Sequence, residues 1–296
     1  DFTATVTDGQ GGDDTQTFTV TVNAVNDAPT LAAVDAVSFD EDGSGSTTLV
    51  GSDIDSTDLT YSVSTGTDIT ATVDGATVSF TAPANFNGSE SFTATVTDGE
   101  YTSSQTFTVT VNAVNDAPTA NVASGQTNED QSVVIALSGD DIDGDNLTFS
   151  LDSDATNGSV SLDGSLATYT PDANFNGDDS FTFSVSDGEY SASASVAVSV
   201  TAVNDAPVLA TVSDVSFDED GSGSLSLSGS DVDGDDLEFS ISGGTDISAS
   251  LSGSDVFFSA PANYNGSESF TASVTDGEYT DSQTITVTVN AVNDAP

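Results

Sequence analysis

The sequence contains no lysine, arginine or histidine, and no cysteine, methionine or tryptophan. Without histidine or lysine there is no imidazole for general acid–base work and no amine for Schiff-base chemistry. Without cysteine, thiol nucleophiles, disulfides and thiolate zinc sites are excluded. The missing cations leave nothing to neutralise phosphates, which removes nucleic acid as a partner and argues against direct contact with an anionic membrane. A Lys–Asn isopeptide crosslink is impossible for the same reason. No run of 18 apolar residues occurs, so no helical membrane span is expected. The sequence opens on Asp1 and not on Met, which points to a segment of a longer chain.

What is present is acid. Asp and Glu number 49 among 296 residues, for a formal charge of −49. Glutamate accounts for nine of these and aspartate for the rest. Aspartate is a poor helix former, a good loop residue and a hard oxygen ligand. So much uncompensated charge opposes compaction, and such a chain needs bound cations or high salt. Abundant Ser, Thr, Gly and Asp also fit disorder, but the hydrophobic pattern argues for a folded chain.

The pattern is a repeat. Asn-Asp-Ala-Pro begins at Asn26, Asn115, Asn204 and Asn293, at intervals of 89. Asp-Gly-Glu-Tyr begins at Asp98, Asp187 and Asp276, and an Asn-Phe/Tyr-Asn-Gly turn at Asn85, Asn174 and Asn263, with the same spacing. The repeats are thus 26–114, 115–203 and 204–292. Residues 1–25 match the end of a preceding repeat, with Phe2 equivalent to Phe92, and 293–296 start the next linker. The outer two repeats resemble each other most: Phe39-Asp-Glu-Asp-Gly-Ser-Gly-Ser46 and Phe217-Asp-Glu-Asp-Gly-Ser-Gly-Ser224 match, whereas the middle one reads Thr127-Asn-Glu-Asp-Gln-Ser132.

Within a repeat, apolar and polar residues alternate. Ser91–Thr97 and Gln105–Val111 place Phe92, Ala94, Val96 and Phe107, Val109, Val111 on one face, the period of half-buried strands. Leu59–Val63, Thr77–Thr81 and Ser132–Leu137 read the same way. About seven strands and no helix per repeat give an all-β chain of immunoglobulin-like Greek-key sandwiches. A repeat of this size closes its own core, unlike a solenoid repeat. Beads of about 40 Å strung end to end would form a linear rod.

Acidic motifs recur at fixed phase. Asp-x-Asp stands at Asp53 and Asp55, Asp141 and Asp143, and Asp231 and Asp233, with Asp58, Asp145, Asp235 and Asp236 following. A second group closes a late strand at Asp98, Asp187 and Asp276, and a third is the linker pair Asn-Asp. A fourth is Glu41, Glu129 and Glu219, each followed by Asp. Alternate residues of an extended backbone share a side, and two carboxylates there repel unless a cation lies between them. Oxygen-only donors favour calcium, which takes six to eight oxygens, over the stricter magnesium, and disfavour zinc and copper. Asp-Gly and Asp-x-Asp-Gly are also ordinary turn sequences, and only the repetition at strand ends favours ligands. The EF-hand loop does not fit, since positions 6 and 12 from Asp141 are Asn146 and Asp152.

Ala-Val-Asn-Asp-Ala-Pro (24–29, 113–118, 202–207, 291–296) resembles the interdomain linker of cadherins, and Thr-Val-Thr-Asp-Gly-Glu (95–100) resembles the cadherin strand ending in Ala-x-Asp. The whole repeat is similar to the cadherin-like tandem repeats of large bacterial extracellular surface proteins of the type I-secreted, RTX-adhesin type. The resemblance implies calcium at each junction. At Asn115 the implied ligands are Glu41, Asn115, Asp116, Asp141, Asp143 and Asp187. At Asn204 they are Glu129, Asn204, Asp205, Asp231, Asp233 and Asp276. At Asn26 they are Asn26, Asp27, Asp53, Asp55 and Asp98, and at the last junction Glu219, Asn293 and Asp294. One departure is that Asn85-Phe-Asn87, Asn174-Phe-Asn176 and Asn263-Tyr-Asn265 stand where cadherins carry an Asp-x-Glu pair, so one to three ions per junction are expected.

The functional expectation is a calcium-rigidified structural rod of an extracellular adhesin or surface filament, serving cell adhesion or biofilm architecture, with calcium ions, neighbouring repeats and like chains as partners. Two other readings stay open: a filament subunit assembled by strand donation, and a calcium-dependent carbohydrate-binding module using Tyr101, Tyr190 and Tyr279. Identical carboxylate pairs at every junction do not resemble one active site, so no catalysis is expected. Sequons at Asn87, Asn146, Asn157 and Asn265 match the glycosylation pattern.

Overall fold

A computed structural model describes residues 1–293. The described residues form strands, turns and loops with no helix. They divide into two compact units, one of residues 1–116 and the other beginning at Ala117.

The first unit opens with a hairpin of Phe2–Thr7 and Asp13–Phe18. Phe2 faces Phe18, the register in which Phe92 faces Phe107. The connecting loop, Asp8 to Gly12, is one residue longer than that of Asp98 to Tyr101. The hairpin's side chains are exposed, and the Phe2 and Phe18 rings stack at 5.8 Å.

The rest of the unit is a sandwich. One sheet holds four strands in the order Val37–Asp40, Thr102–Asn112, Gly88–Thr97 and Thr60–Val63. The other holds Ser44–Thr48, Thr77–Thr81 and Thr70–Asp74 in that order. Thr30–Leu31 pairs with Gly51–Ser52 as a further short ladder. The seven expected strands are thus joined by a two-residue pair too short to show any period. The first strand of the larger sheet runs parallel to the long strand that ends the repeat, Val37 to Asp40 against Val109 to Asn112, and the other pairings are antiparallel. The second unit repeats this plan twice, with four-stranded sheets built on Gly177–Ser186 with Ser191–Thr201 and on Gly266–Thr275 with Thr280–Asn290.

Alternation sets the core. Phe92, Ala94 and Val96 are fully buried, while the threonines between them face outward. Phe80 meets Phe92 edge-on at 5.4 Å, and Phe258 meets Phe270 likewise at 5.2 Å. Each such ring contributes about 1.5–3 kcal/mol by leaving water. Two-residue loops reverse the chain at Gly75, Gly164 and Gly253, whose φ angles of 59°, 60° and 63° suit glycine.

One internal device was not visible in the strand pattern. Glu90 accepts backbone N–H bonds from Thr67 (2.9 Å), Asp68 (2.7 Å) and Ile69 (3.4 Å). Glu268 does the same for Thr245, Asp246 and Ile247 at 2.7, 3.0 and 3.1 Å. The glycine before each loop is forced by space: a Cβ on Gly66 would lie 2.2 Å from the Ile69 carbonyl oxygen and 2.3 Å from Glu90 Oε2. In the middle repeat three positions differ together. Ala155 replaces the glycine, the shorter Asp179 replaces the glutamate, and Tyr169 replaces the buried Phe80 and Phe258. The shorter Asp179 still accepts the N–H groups of Thr156 (3.1 Å) and Asn157 (2.9 Å), and the Tyr169 hydroxyl donates to it at 3.0 Å. Burial and this anion push the Tyr169 hydroxyl pKa well up.

Candidate metal centre

The junction at Asn204 lies within the second unit and joins the motifs read from the sequence. Glu129 follows Ala123–Asn128, the first strand of the middle repeat's four-stranded sheet, and its N–H bonds the Thr201 carbonyl at 3.0 Å. This places its side chain at the repeat's end, with only 3% of its surface exposed. One carboxylate oxygen, Oε1, accepts the N–H of Val203 in the linker. The other, Oε2, is buried with no hydrogen-bond partner. Unmatched carboxylate oxygens in the interior are costly.

The same division recurs around the site. Asp231 Oδ1 accepts the N–H groups of Asp233 (2.9 Å), Gly234 (3.2 Å) and Asp235 (3.4 Å), while its buried Oδ2 has no partner. Asp233 Oδ2 accepts the N–H of Asp205 at 2.7 Å, and the buried Asp205 Oδ2 has no partner. Asp276 Oδ1 caps its own turn through Glu278 and Tyr279 N–H, and Oδ2 accepts the Asn204 amide at 2.9 Å. Backbone donors thus orient one oxygen of Glu129 and one of Asp231 and leave the other oxygen of each buried without a hydrogen bond.

Carboxylate oxygens of Glu129, Asp205 and Asp233 lie within 4.8 Å of one another, and those of Asp231, Asp233 and Asp235 form a second such group. Glu129 belongs to the preceding repeat, Asp205 to the linker and Asp233 to the following repeat. Burial, then the charges of Asp233, Asp130, Glu129 and Asp231, raise the Asp205 pKa. For Asp276 burial works in the same direction, but the Asn204 amide and the turn N–H groups outweigh it and hold its pKa below the usual value. Asp130 is a member of this field that the implied ligand set omits. Its signal in the sequence was the Asp after each Glu.

In the first unit, Asn26 donates to Asp98 Oδ2 at 2.8 Å, and Asp27 N–H bonds Asp55 Oδ2 at 2.8 Å. Asp53 Oδ1 caps Asp55 and Ser56, and Asp53 Oδ2 is buried without a partner. These bonds match those at Asn204 residue for residue. Glu41 is 7% exposed and accepts Val114 N–H at 2.6 Å, with Oε2 unpartnered. Asn115 and Asp116 are half-buried in this unit. In the second unit Asp141 caps Asp143 and Asp145 with one oxygen and keeps a buried one free of hydrogen bonds, and Asp187 caps the turn to Tyr190. Half-buried Glu219 accepts Val292 N–H at 2.6 Å beside Asn293, while Asp294 lies outside the described residues.

Ile54, Ile142 and Val232, the middle residues of Asp-x-Asp, are 83%, 64% and 56% exposed, as expected when the flanking carboxylates turn the other way. Tyr101, Tyr190 and Tyr279 close the Asp-Gly-Glu-Tyr turns through backbone bonds to Asp98, Asp187 and Asp276. Asn85, Asn174 and Asn263 hold positive φ angles of 54°, 59° and 52°, a turn geometry that asparagine tolerates.

The model of the bacterial Ig domain matches residues 26–112, 115–201 and 204–288. The chain belongs to this family. Its bacterial Ig domains stand in tandem. No curated protein sequence matches the chain. Among solved structures, extracellular cadherin domains 1–4 of protocadherin gamma B7 are 17% identical, cover 90% of this chain and 77% of their own, and superpose with a TM-score of 0.55. PcdhgB3 EC1–4 is 13% identical, with 91% and 77% covered and a TM-score of 0.55. At such identities the likeness concerns the fold, and it places bacterial Ig and cadherin domains in one architecture. No helix among the described residues is long and apolar enough to cross a membrane.

Proposed function

We propose that this chain is a calcium-stiffened extender of an extracellular surface protein, with 26–114, 115–203 and 204–292 each acting as one domain. One observation carries the reading: buried Glu129 keeps an oxygen without a hydrogen bond and gathers within 4.8 Å of carboxylates of the linker and of the following repeat. The donors are all hard oxygens, they come from three successive parts of the chain, and no cationic side chain exists to neutralise them. These residues fit a divalent cation, and loop carboxylates and carbonyls suit calcium better than magnesium.

Glu129, Asn204, Asp205, Asp231, Asp233 and Asp276 would hold the ion at this junction, and Asn26, Asp27, Asp53, Asp55 and Asp98 offer the same donors in the first unit. A bound ion supplies positive charge where carboxylates otherwise repel, and its binding energy is then coupled to the order of the linker. The chain's own residues prearrange this: turn N–H groups aim Asp231 and Asp276, and Asp205 N–H ties the linker to Asp233. The acidic, Ser/Thr-rich sequence and the family match support a place outside a bacterial cell; the resemblance read from the repeats extends this to an adhesin or surface filament of the type I-secreted kind. The role is mechanical reach and not catalysis.

Thermal unfolding in millimolar calcium, millimolar magnesium and excess chelator, with small-angle scattering alongside, tests the proposal. A calcium-specific rise in melting temperature, with an extended particle that becomes flexible in chelator, is expected. Identical curves in calcium and chelator would reduce the acids to a solvated surface.

A further inference from the structure

We propose that the outer face of the three-stranded sheet in the last repeat binds a neutral glycan, with one sugar ring stacked on Phe257 and the next seated in the groove beside Ser224. The proposal uses no residue of the cation site and does not depend on it.

That sheet orders its strands as Ser222–Ser226, Asp255–Ser259 and Ser248–Ser252. Phe257 lies at the middle of the central strand, paired with Ser224 on one side and Ser250 on the other. It is 50% exposed, whereas every other phenylalanine of the three repeats is buried or half-buried. Alternation places Ser222, Ser226, Ser248, Ser252, Asp255 and Ser259 around it on the same outward face, all of them exposed. The fold does not need the ring, because Ser79 and Thr168 hold the same central place in the other two repeats. Nor does the ring gain an apolar cross-strand partner, since both of its neighbours are serines.

The groove is a second observation. Ser224 and Ser226, with Thr211, Ser213, Asp214 and Ser216, line an open groove of about 430 Å³, a volume within the range of small-molecule sites. The Asp214 carboxylate is fixed by the N–H of Thr286 at 2.7 Å. Ser224 thus neighbours the ring and lines the groove.

Chemistry selects the occupant. A serine hydroxyl both donates and accepts, as a sugar hydroxyl does, and the negative face of an aromatic ring attracts the C–H groups of a sugar. A chain of −49 repels nucleic acids, acidic polysaccharides and a second copy of itself. A cationic partner would be drawn instead to the crowded acids at the repeat ends, because Asp255 is the one acid in these three strands. An uncharged, hydroxyl-rich ligand fits what is left.

The test is native electrophoresis of the full chain in calcium, through gels carrying dextran, laminarin or hydroxyethylcellulose, with anionic carboxymethylcellulose as the contrast. Retardation by at least one neutral polymer and none by the anionic one is expected. Phe257→Trp should keep it. Phe257→Ser, which installs the first repeat's residue, and Phe257→Leu, which stays apolar without a ring, should both weaken it about tenfold or more, the effect of about 1.4 kcal/mol. The leucine variant separates lost stacking from lost folding. The disaccharide of the retarding polymer should compete where its monosaccharide does not; equal competition would overturn the part given to the groove. No retardation by any neutral polymer would overturn the proposal, and so would equal retardation of wild type and both ringless variants. Sedimentation of wild type that grows with concentration and turns monomeric in Phe257→Ser would also overturn it, by making this face an interface between copies.

Discussion

Replacing Glu129 by glutamine removes one buried charge and little else, because the amide oxygen can still accept the Val203 N–H. The change therefore has opposite signs with and without calcium. For an extracellular-type site with Kd of about 0.1 mM, 10 mM calcium stabilises the folded state by about 2.7 kcal/mol. A divalent ion about 4 Å from the Glu129 charge gains about 2 kcal/mol from it even at the dielectric of water. Losing that weakens binding about 30-fold and leaves an increment of about 0.9 kcal/mol at the same calcium concentration. For a domain of this size 1 kcal/mol corresponds to about 4–8 °C. The calcium-induced rise should thus shrink from about 10–20 °C in wild type to about 4–7 °C in Glu129→Gln. In chelator the variant should melt at or above wild type, since an unpaired buried charge has gone. Differential scanning calorimetry of both proteins in calcium and in chelator reads both signs. Equal increments would refute the reasoning, and so would a variant that is less stable in chelator.

The loop anchor of the middle repeat gives a second expectation. Tyr169→Phe removes a buried hydroxyl's bond to a carboxylate and should cost about 1.5–3 kcal/mol; the triple variant Ala155→Gly, Tyr169→Phe, Asp179→Glu, which recreates the outer repeats, should recover most of it in denaturant titrations, whereas Asp179→Glu alone should destabilise by crowding Ala155. The third concerns pH. The N–H of Asp68, helped by those of Thr67 and Ile69, holds the Glu90 pKa below its ordinary value. A depressed folded pKa gives stability that is present above the unfolded pKa of about 4.3 and lost as pH falls through the folded one. The stability gap between wild type and Glu90→Gln should accordingly be constant near neutral pH and shrink below about pH 4 in urea titrations; a gap that does not change with pH would contradict the assignment.

The sandwich was legible because strict alternation over Gly88–Thr97 and Thr102–Asn112 leaves a strand with one buried face as the only consistent element. Its short ladder at Thr30–Leu31 was not, since two residues show no period. The acidic motifs announced a site at the repeat ends because Asp-x-Asp aims two carboxylates one way, and exposed Ile54, Ile142 and Val232 show the aim. The roles of Glu90 and Asp179 had no sequence signal of their own, because the loop N–H groups they hold lie more than twenty residues away, and a backbone donor has no letter in a sequence. Their signal lay in comparing copies: glycine, phenylalanine and glutamate at 66, 80 and 90 become alanine, tyrosine and aspartate at 155, 169 and 179, and only contact explains a joint change. Asp130 was hidden similarly, its tie to Asn174 spanning 44 residues.

The parallel pairing of the first and last strands of each larger sheet also decides how a repeat meets tension. Force enters a domain of a tandem chain at its start and leaves at its end, so these two strands are pulled in opposite directions along their length. Their ladder bonds are then loaded in shear and must fail together instead of unzipping one at a time. The ladder spans four residue pairs in the outer repeats, Val37 to Asp40 and Val215 to Asp218, but six in the middle one, from Ala123 to Asn128. A stretched chain would therefore yield first at its outer domains and last at the middle one, an order that single-molecule pulling would reveal and that a weaker middle domain would disprove.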